Sequence, residues 1–349
     1  MPRFGYISPL SNSQLSDSGD PALTREPQNE PDDQEDDDDD DYSTGKALCA
    51  FGVIICGLLM FTLPVSKFIL AADMLTHFAL HYMVAGGALL VGFFLPRWNV
   101  RFAVVLTIIG VFLIGFTATH KPEPTEQALA DGEKRLKLMT FNTWRRNHDW
   151  KSIEKEIRKT DPDIVTLLEF GSEKARLLTS LKRQYPYQLS CLHIHSCHMA
   201  ILSKHPFLKK QIRTRWRGPP YVMATFGKKL AGLTVFAVHT IRPPHYKAHY
   251  RQIGSLSGVV NQVRGLKIVM GDFNSTPFSR TLNTFAKRTR LKRLTDTPSW
   301  PAQYGGLPQV AIDHIFVSPK IRQVREHRLG GNAGSDHFPV NTVVAIPTS

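Results

Sequence analysis

Five short segments between residues 136 and 349 carry side chains suited to phosphate chemistry. They are Phe141-Asn142, Leu168-Glu169, Val238-His239, Gly271-Asp272-Phe273-Asn274 and Ser335-Asp336-His337. Four of the five lie at or near the end of an apolar, β-branched run, where a buried strand can present a polar side chain at one edge of a sheet. Carboxylates, carboxamides and imidazoles gathered at such an edge are the groups that metal-assisted attack on a phosphate requires. The sequence therefore predicts hydrolysis of phosphate esters.

Charge divides the 349-residue chain into three regions. Residues 1–46 carry a net charge of −10, including the run from Asp36 to Asp41, and lack apolar periodicity, so they are predicted to form a disordered acidic tail. Residues 47–120 are almost uncharged. Residues 121–349 carry a net charge of +21, which attracts polyanions such as nucleic acid, anionic lipid or inositol phosphates.

Three apolar stretches predict transmembrane helices at about residues 47–65, 77–95 and 99–119. Each stretch is close to the roughly 20 residues that a helix needs to cross a bilayer. A helix in a soluble core would show a polar face, which these stretches lack. His77 and His81 lie one turn apart in the second stretch, and we expect them to face a neighbouring helix or the membrane interface.

Basic residues beside the apolar stretches predict the orientation in the membrane. Lys46, Arg97 and Arg101 share the side of the N-terminal tail, whereas the charges of the loop 66–76 on the other side cancel. Basic loops stay in the cytoplasm. The sequence therefore predicts a multi-pass protein of the cell inner membrane, with its large C-terminal domain on the non-cytoplasmic side.

Cys191 and Cys197 bracket a short turn-like stretch that has two interpretations. In an oxidising compartment the two cysteines could close a small disulfide loop. With His193, His195 and His198 they could instead form a zinc cluster. The sequence leaves both interpretations open.

After a polar linker at residues 120–134, the domain at 135–349 mixes strands with helices. Strands are predicted near residues 136–141, 163–168, 199–203, 222–226, 233–239, 267–271, 312–317 and 339–345, and helices near 149–159, 172–185, 249–263 and 278–287. Several strands follow each other without an intervening helix. This order favours an α/β (α+β) fold with two packed sheets and helices outside, rather than a purely alternating parallel sheet.

Seven motifs occur along this domain, between about residues 136 and 346. They are FNTW, DPDIVTLLE, MAILSKHP, VFAVHT, GDFNSTP, AIDHIFVS and GSDHFPV. In this order they resemble the endonuclease/exonuclease/phosphatase superfamily, and the chain looks closest to its membrane-attached bacterial members. The resemblance implies a four-layered α/β/β/α sandwich and hydrolysis of phosphate esters that depends on Mg²⁺, with Mn²⁺ as an alternative cation.

Candidate metal ligands follow from residue chemistry and from the resemblance. Glu169 ends an apolar strand, where a carboxylate is costly unless it binds a cation or accepts hydrogen bonds. A hard dication takes oxygen ligands. Glu169 resembles the principal metal ligand of the family, with Asn142 near it, and Asp336 matches a position that in the family lies near the metal.

Candidate catalytic residues come from the later motifs. Asp272 and Asn274 lie two positions apart, so on a strand-like path they point the same way. The resemblance casts Asp272 as the residue that orients the attacking water and Asn274 as a hydrogen-bond donor to phosphate. It casts His337 as general base or electrostatic partner, with Asp313 fixing its tautomer. His239 resembles the histidine that donates to a phosphate oxygen in the transition state.

Three functions are consistent with these residues. The first is a membrane-tethered nuclease that hydrolyses phosphodiester bonds of nucleic acid outside the cytoplasmic membrane. The second is a phosphatase or phosphodiesterase of lipid or inositol phosphate headgroups. The third is an inactive domain that binds anionic ligands, which the complete set of candidate catalytic residues disfavours. The expected partners are the phosphate-ester substrate and the membrane, and no partner protein is indicated.

Overall fold

The computed structural model describes residues 34–95, 99–122, 124–192, 194, 197–214, 218–303 and 305–348. The helices before the domain are α1 (Gln34–Val65), α2 (Asp73–Thr76), α3 (Ala79–Phe94) and α4 (Asn99–Thr119), with a 3₁₀ turn at Leu70–Ala72. Residues from Tyr42 onward form one unit, which contains the apolar helices and the mixed α/β domain.

Among the described residues, two helices are long and apolar enough to span a membrane. They are Ser43–Val65 within α1 and Val100–Thr119 within α4. The segments Leu70–Thr76 and Ala79–Phe94 form a pair that is bent by 62°, and this pair is a third span only if its two parts cross as one. The first and third predicted spans are therefore single helices, and the second corresponds to the bent pair.

The start of α1 corrects the prediction for the acidic tail. Helix α1 begins at Gln34, so the expected disorder is wrong for residues 34–46. Extending an existing helix is much easier than starting one, and the apolar span supplies the helix that this acidic stretch continues. Residues 1–33 lie outside the described residues.

Two six-stranded sheets form the domain in the described part of the chain. The first sheet has the order β11-β12-β1-β2-β4-β3 and the second β5-β6-β7-β8-β10-β9. The strands are β1 (Glu133–Asn142), β2 (Ile164–Leu168), β3 (Tyr187–Ser190), β4 (Ala200–Ser203), β5 (Phe207–Arg213), β6 (Tyr221–Phe226), β7 (Thr234–His239), β8 (Lys267–Asp272), β9 (Lys292–Arg293), β10 (Asp313–Val317), β11 (Arg322–Leu329) and β12 (Val340–Pro347). Of these, β3, β5, β9 and β11 were not predicted, and each is an outer strand of its sheet.

Each sheet is built around one parallel pair of strands, β1 with β2 and β7 with β8. Parallel neighbours need a crossover connection. Helix α5 (Trp150–Thr160) connects the first pair, and α7 (Tyr246–Gln262) connects the second. Helix α6 (Ala175–Ser180) follows β2, and α8 (Arg280–Thr289) follows β8. The two halves of the domain therefore share the order strand, helix, strand, helix. The carboxyl ends of β1 and β7, and those of β2 and β8, lie at matching positions of their sheets.

Three apolar clusters confirm the predicted four-layered α/β/β/α sandwich. The central cluster joins the facing sides of the two sheets and includes Leu138 of β1 and Met270 of β8. A second cluster packs α5 and α6 on the outer face of the first sheet, around Phe141. A third cluster packs α7 and α8 on the outer face of the second sheet, around Phe316.

Cys191 and Cys197 form a disulfide, with 5.7 Å between their Cα atoms. Both sulfur atoms are therefore used, and the zinc cluster has lost its two thiolate ligands. Of the three histidines in that cluster, His193 and His195 lie outside the described residues, whereas His198 lies within them.

The apolar helices pack against loops of the domain. His81 of α3 was expected to face another helix or the interface, but its Nε2 lies 3.2 Å from Oε1 of Gln309. A Cβ atom on Gly115 of α4 would lie 2.5 Å from the Cβ of Leu307, so helix and loop are in close contact. Both contacts fall on the segment that leads into β10.

Candidate active site

The candidate residues lie at strand ends on one end of the sandwich. Asn142 is the last residue of β1, and Glu169 directly follows β2. His239 and Asp272 are the last residues of β7 and β8, and they are paired in register. Asp313 begins β10 opposite Asp272. The sheet topology therefore brings together groups that are far apart in sequence.

One carboxylate oxygen, Oδ2 of Asp272, lies at the centre of the site. Nδ2 of Asn142 donates to it at 3.0 Å. Nε2 of His239 is 3.6 Å away, and Nε2 of His337 is 3.9 Å away. The Asp272 side chain is 2% exposed. Groups from both sheets thus converge on a buried carboxylate.

Glu169 supplies a second carboxylate beside the first. Its Oε1 lies 3.5 Å from Nδ2 of Asn142 and 3.8 Å from Nε2 of His239. The backbone N–H of Arg145 donates to Oε2 at 2.9 Å. Burial acts to raise the pKa of Glu169, but His239 and the Arg145 N–H outweigh it, so the pKa lies below its ordinary value. Glu169 is therefore charged at neutral pH.

His337 and Asp313 form a buried pair. Nδ1 of His337 lies 2.7 Å from Oδ2 of Asp313, and Oγ of Ser299 donates to the same oxygen at 2.7 Å. Burial alone would lower the pKa of His337, but the carboxylates of Asp313 and Asp272 raise it to about 9. His337 is therefore protonated at neutral pH in this arrangement.

Two further carboxyl groups are less acidic than usual. Burial and then the neighbouring Asp313 raise the pKa of Asp272 to about 6, although His337 and His239 act in the opposite direction. Burial and then Glu169 raise the pKa of Asp336. The site thus concentrates negative charge that its own imidazoles only partly offset.

This donor set fits a hard divalent cation. The carboxylates that meet here belong to Glu169, Asp272, Asp313 and Asp336. Among the described residues, the buried Oδ1 atoms of Asp313 and Asp336 have no hydrogen-bond partner. Ligand atoms of Asp272, Asp313 and His337 also lie within 4.8 Å of one another, but the protonated imidazole has no lone pair left to bind a cation. Oxygen ligands with excess negative charge are what Mg²⁺ and Mn²⁺ select.

Asn274 makes bonds that tie two loops together. Its backbone N–H donates to Oδ1 of Asp272 at 2.8 Å, and its Nδ2 donates to the carbonyl of Thr240 at 2.9 Å. The residue has a φ of +46°, a conformation in which Asn is favoured over most residues. Its predicted hydrogen bond to phosphate stays a prediction.

Two residues that support the site were missed in the sequence. Nζ of the buried Lys174 donates to the carbonyls of Trp144 and Glu169 at 3.0 and 3.2 Å, which ties the ends of β1 and β2 together. Nε1 of Trp300 donates to Oδ2 of Asp336 at 3.4 Å. A lysine in a polar helical stretch gives no signal that it is buried, and Trp300 lies outside the seven motifs.

The chain is similar to known proteins in its sequence motifs and in its fold. The model of the Endonuclease/Exonuclease/phosphatase family matches residues 139–337, more than half of the chain. No curated protein sequence matches significantly. An endonuclease/exonuclease/phosphatase family protein from Bacteroides thetaiotaomicron is 17% identical, with a TM-score of 0.51, covering 61% of this chain and 98% of that chain.

Two other solved structures are similar in fold at comparable distance. Beta toxin from Staphylococcus aureus, solved with bound magnesium ions, is 17% identical with a TM-score of 0.48, covering 60% of this chain and 99% of that chain. A mannosyl-6-phosphatase from Bacteroides thetaiotaomicron is 16% identical with a TM-score of 0.48, covering 60% and 99%. At these identities the likeness concerns the fold alone.

Proposed function

Since this chain belongs to the endonuclease/exonuclease/phosphatase family, we propose that it is a membrane-tethered hydrolase that cleaves phosphate esters with the help of a divalent cation. Members of this family hydrolyse phosphoester bonds. The observation that carries the proposal is the convergence of Asn142, His239 and His337 on the buried carboxylate of Asp272, with Glu169 beside them.

Glu169, Asn142 and Asp336 would hold the cation, for which Mg²⁺ is expected and Mn²⁺ is an alternative. When bound, the cation would polarise a phosphoryl oxygen and offset the charge that builds up during attack. The buried Oδ1 of Asp336, which lacks a hydrogen-bond partner among the described residues, supports this assignment. Oδ1 of Asp313 also lacks a partner among the described residues, but Oδ2 of Asp313 binds the protonated His337, whose charge would repel a cation.

The remaining candidate residues transfer protons or donate hydrogen bonds during the reaction. Asp272, with a pKa of about 6, orients the attacking water and accepts its proton. Asp313 holds the Nδ1 proton of His337, and the charged imidazole presents Nε2–H to the phosphate as an electrostatic partner. His239 donates from Nε2 to a phosphate oxygen, and Asn274 adds a further hydrogen bond.

Nucleic acid is the first candidate substrate. Residues 121–349 carry a net charge of +21, and such a surface attracts a phosphodiester polyanion without regard to its sequence. The metal-assisted attack described above would act on a phosphodiester as well as on a phosphomonoester. The protein would then be a nuclease that acts at the membrane.

A second candidate, a phosphatase or phosphodiesterase of membrane lipids, is favoured by one observation. The apolar helices contact the segment leading into β10, which begins with the site residue Asp313. Nζ of Lys121, just after α4, donates to Oγ1 of Thr297 at 2.8 Å. Gly115 of α4 lies against Leu307 in the same segment. The site is therefore attached to the membrane helices on one side, where lipid headgroups are concentrated.

The full chain in lipid nanodiscs with Mg²⁺ separates these candidates. It is given plasmid DNA, RNA or phospholipid vesicles, and strand cleavage and phosphate or headgroup release are measured. We expect cleavage of one substrate class that is lost on chelation of the metal and in His337→Ala. His205→Ala is the matched control, because His205 follows Ser203, which pairs with Ile164 at the opposite end of the sheet.

Two results would remove the proposal. Cleavage that persists in His337→Ala would have to come from a contaminating enzyme. The absence of hydrolysis with every substrate class, while the chain is folded and supplied with Mg²⁺ or Mn²⁺, would leave the third function, binding of an anionic ligand.

We further propose that the chain resides in the cell inner membrane with its catalytic domain on the non-cytoplasmic side. The disulfide between Cys191 and Cys197 supports this location, because such bonds persist in oxidising compartments. The apolar helices support the membrane attachment.

A further inference from the structure

The segment between the first two apolar helices binds the loop that carries a catalytic candidate. We name residues 66–77 the membrane hairpin and residues 273–279 the catalytic loop, which connects β8 to α8. Asp73 in the membrane hairpin is 4% exposed, although it lies in a segment flanked by apolar helices. A carboxylate is buried at such a cost only where it is fully hydrogen-bonded.

Asp73 binds the start of α8. Its Oδ2 accepts hydrogen bonds from the backbone N–H of Thr281 at 3.0 Å, from Oγ1 of Thr281 at 2.6 Å and from Oγ of Ser279 at 2.9 Å. Its Oδ1 accepts from the backbone N–H of Arg280 at 2.5 Å. The first N–H groups of a helix have no partner within the helix, and a negative charge is favoured there. A residue of the membrane hairpin thus caps a helix of the catalytic domain.

Two more contacts add to this attachment, and the one made by His77 lies closer to the active site. Nδ1 of His77 accepts a hydrogen bond from the backbone N–H of Thr276 at 3.1 Å and lies 3.3 Å from its Oγ1. Nη1 of Arg280 donates to the carbonyl of Ser66 at 3.0 Å. The membrane hairpin therefore binds both the middle and the end of the catalytic loop.

The other end of the same loop is part of the candidate active site. Asn274 lies two residues before Thr276, and its backbone N–H donates to Oδ1 of Asp272. Its amide holds the carbonyl of Thr240, which directly follows His239. A shift of Thr276 would therefore be passed through a short stretch of backbone to Asn274 and the Asp272 carboxylate.

We infer that the membrane hairpin is a positioning element of the active site, with Asp73 and His77 as positioning residues. They act through Thr276 and the start of α8 on Asn274 and Asp272. The inference rests on the proposed function, since it assigns a role in that reaction. It also means that the apolar helices are more than an anchor, because removing them would take away the hydrogen bonds that Asp73 and His77 make with the catalytic loop and the start of α8.

The test uses the full chain in nanodiscs, with Asp73→Ala, Asp73→Asn and His77→Ala. Asp131→Asn, at an exposed position before β1, is the matched control. Hydrogen exchange of peptides covering residues 276–282 reports the contact itself. Hydrolysis of bis(p-nitrophenyl) phosphate reports kcat and KM, and Mn²⁺ titration reports the affinity for the cation.

In Asp73→Ala we expect exchange in peptides 276–282 to become about 10-fold faster, as the loss of a helix cap predicts. We expect kcat to fall by about 10-fold or more with KM and Mn²⁺ affinity within about 2-fold, because Glu169, Asn142 and Asp336 do not contact the hairpin. Asp73→Asn, which keeps one acceptor oxygen, should recover part of kcat. His77→Ala should show the same pattern more weakly. It is the variant that tests the inference if Asp73→Ala does not fold.

Three outcomes overturn the inference. Unchanged exchange in Asp73→Ala and His77→Ala means that the hairpin does not bind the loop. Faster exchange with unchanged kcat would mean that Asp73 caps α8 but does not position the active site. If peptides 276–282 of the wild type are protected from exchange but the chain hydrolyses no phosphoester, the proposed function is wrong and the positioning role falls with it. The exchange data distinguish this result from loss of the contact between the membrane hairpin and the catalytic loop.

Discussion

At the scale of single residues, Asn142 shows why the site favours a cation. Its Nδ2 lies 3.0 Å from Oδ2 of Asp272, 3.4 Å from Nε2 of His337 and 3.5 Å from Oε1 of Glu169. Nε2 of the protonated His337 is itself a donor, so the two amide hydrogens are left for the carboxylates of Asp272 and Glu169. A neutral amide adds no positive charge to offset two carboxylates that lie this close together. A dication would supply the missing positive charge.

Glu169→Gln tests the charge of the site while keeping its shape. We expect the affinity for Mn²⁺, measured by titration calorimetry of the full chain in detergent, to fall about 10- to 100-fold, because one charged ligand is lost. Glu326→Gln, which changes an exposed carboxylate on β11, should bind Mn²⁺ like the wild type. Unchanged affinity in Glu169→Gln would exclude Glu169 as a ligand.

The sequence predicted those site residues that belong to a motif and missed those that depend on distant contacts. His337, Asp272 and Glu169 stand at the ends of apolar runs, where a polar residue is conspicuous. Lys174 reaches the carbonyl of Trp144, thirty positions away in sequence, and nothing local marks that contact. The composition of a segment does not reveal to which backbone carbonyl a lysine will donate a hydrogen bond.

At the scale of elements, the site is formed where the carboxyl ends of two parallel strand pairs meet. The sheet orders relate β1 to β7 and β2 to β8. Asn142, paired with Leu168, corresponds to His239, paired with Asp272, so Asp272 corresponds to the residue just before Glu169. Each parallel pair of strands thus contributes one carboxylate and one hydrogen-bonding group at its carboxyl end. The geometry of the site thus depends on how closely these four strands pack.

Gly271 is required by the packing of β7 against β8. Its φ is +151°, and a Cβ atom there would lie 1.9 Å from the carbonyl oxygen of Val238. We expect Gly271→Ala to destabilise the chain by about 3 kcal/mol or more, measured by urea unfolding in detergent. Gly258→Ala, at an exposed position of α7 with free space around it, should instead stabilise by about 0.5–1 kcal/mol. Equal effects of the two substitutions would contradict this account of β7 and β8.

His249 of α7 makes stability depend on pH. Its Nε2 lies 2.9 Å from the carbonyl of Phe273, and burial lowers its pKa from 6.5 to about 4, with a smaller lowering effect of His77 and an opposing one of Asp73. Between pH 6.5 and 4 the unfolded chain binds a proton here that the folded chain does not. Stability should therefore fall by about 3 kcal/mol from this group as the pH drops from 7 to 4.

Thermal unfolding of the full chain in detergent between pH 7 and 4 checks this effect. We expect the slope of Tm against pH to be smaller in His249→Gln than in the wild type. His148→Gln, at an exposed position of the loop after β1, should keep the wild-type slope. An unchanged slope in His249→Gln would mean that this histidine is not buried in its neutral form.

The strands that the sequence missed are the four outer ones. Inner strands such as β2 and β12 are buried apolar runs that are conspicuous in sequence. The outer strand β5 exposes the lysines of its FLKKQIR sequence, and β11 is similarly rich in charge. Charged outer strands avoid pairing with other chains, but they thereby lose the alternating pattern that predicts a strand.

At the scale of the whole molecule, the surface of the apolar helices differs from that of the domain. Phe51 and Phe61 of α1 and Phe68 after it are 64%, 64% and 86% exposed. Large exposed apolar side chains of this kind mark contact with lipid or with another protein. Composition alone was enough to predict these helices. The hydrogen bonds of Asp73 with α8 were not predictable, because they join segments about 200 residues apart.

Reporter fusions after Ser349 test the proposed orientation in the cell. Alkaline phosphatase, which needs an oxidising compartment, should be active when fused there, and a fluorescent protein that matures only in the cytoplasm should be dark. Fusions after Leu95, at the C-terminal end of α3, should show the reverse if the bent pair crosses the membrane as one span. Activity of the cytoplasmic reporter after Ser349 would overturn the orientation.

The most direct measurement is anomalous diffraction from crystals of the full chain soaked in Mn²⁺. We predict one strong peak in contact with the carboxylate of Glu169 and beside Asn142 and Asp336, and its loss in crystals of Glu169→Gln. A site without a peak at saturating Mn²⁺, or a peak that lies elsewhere and survives Glu169→Gln, would contradict the claim that these side chains converge on a catalytic cation.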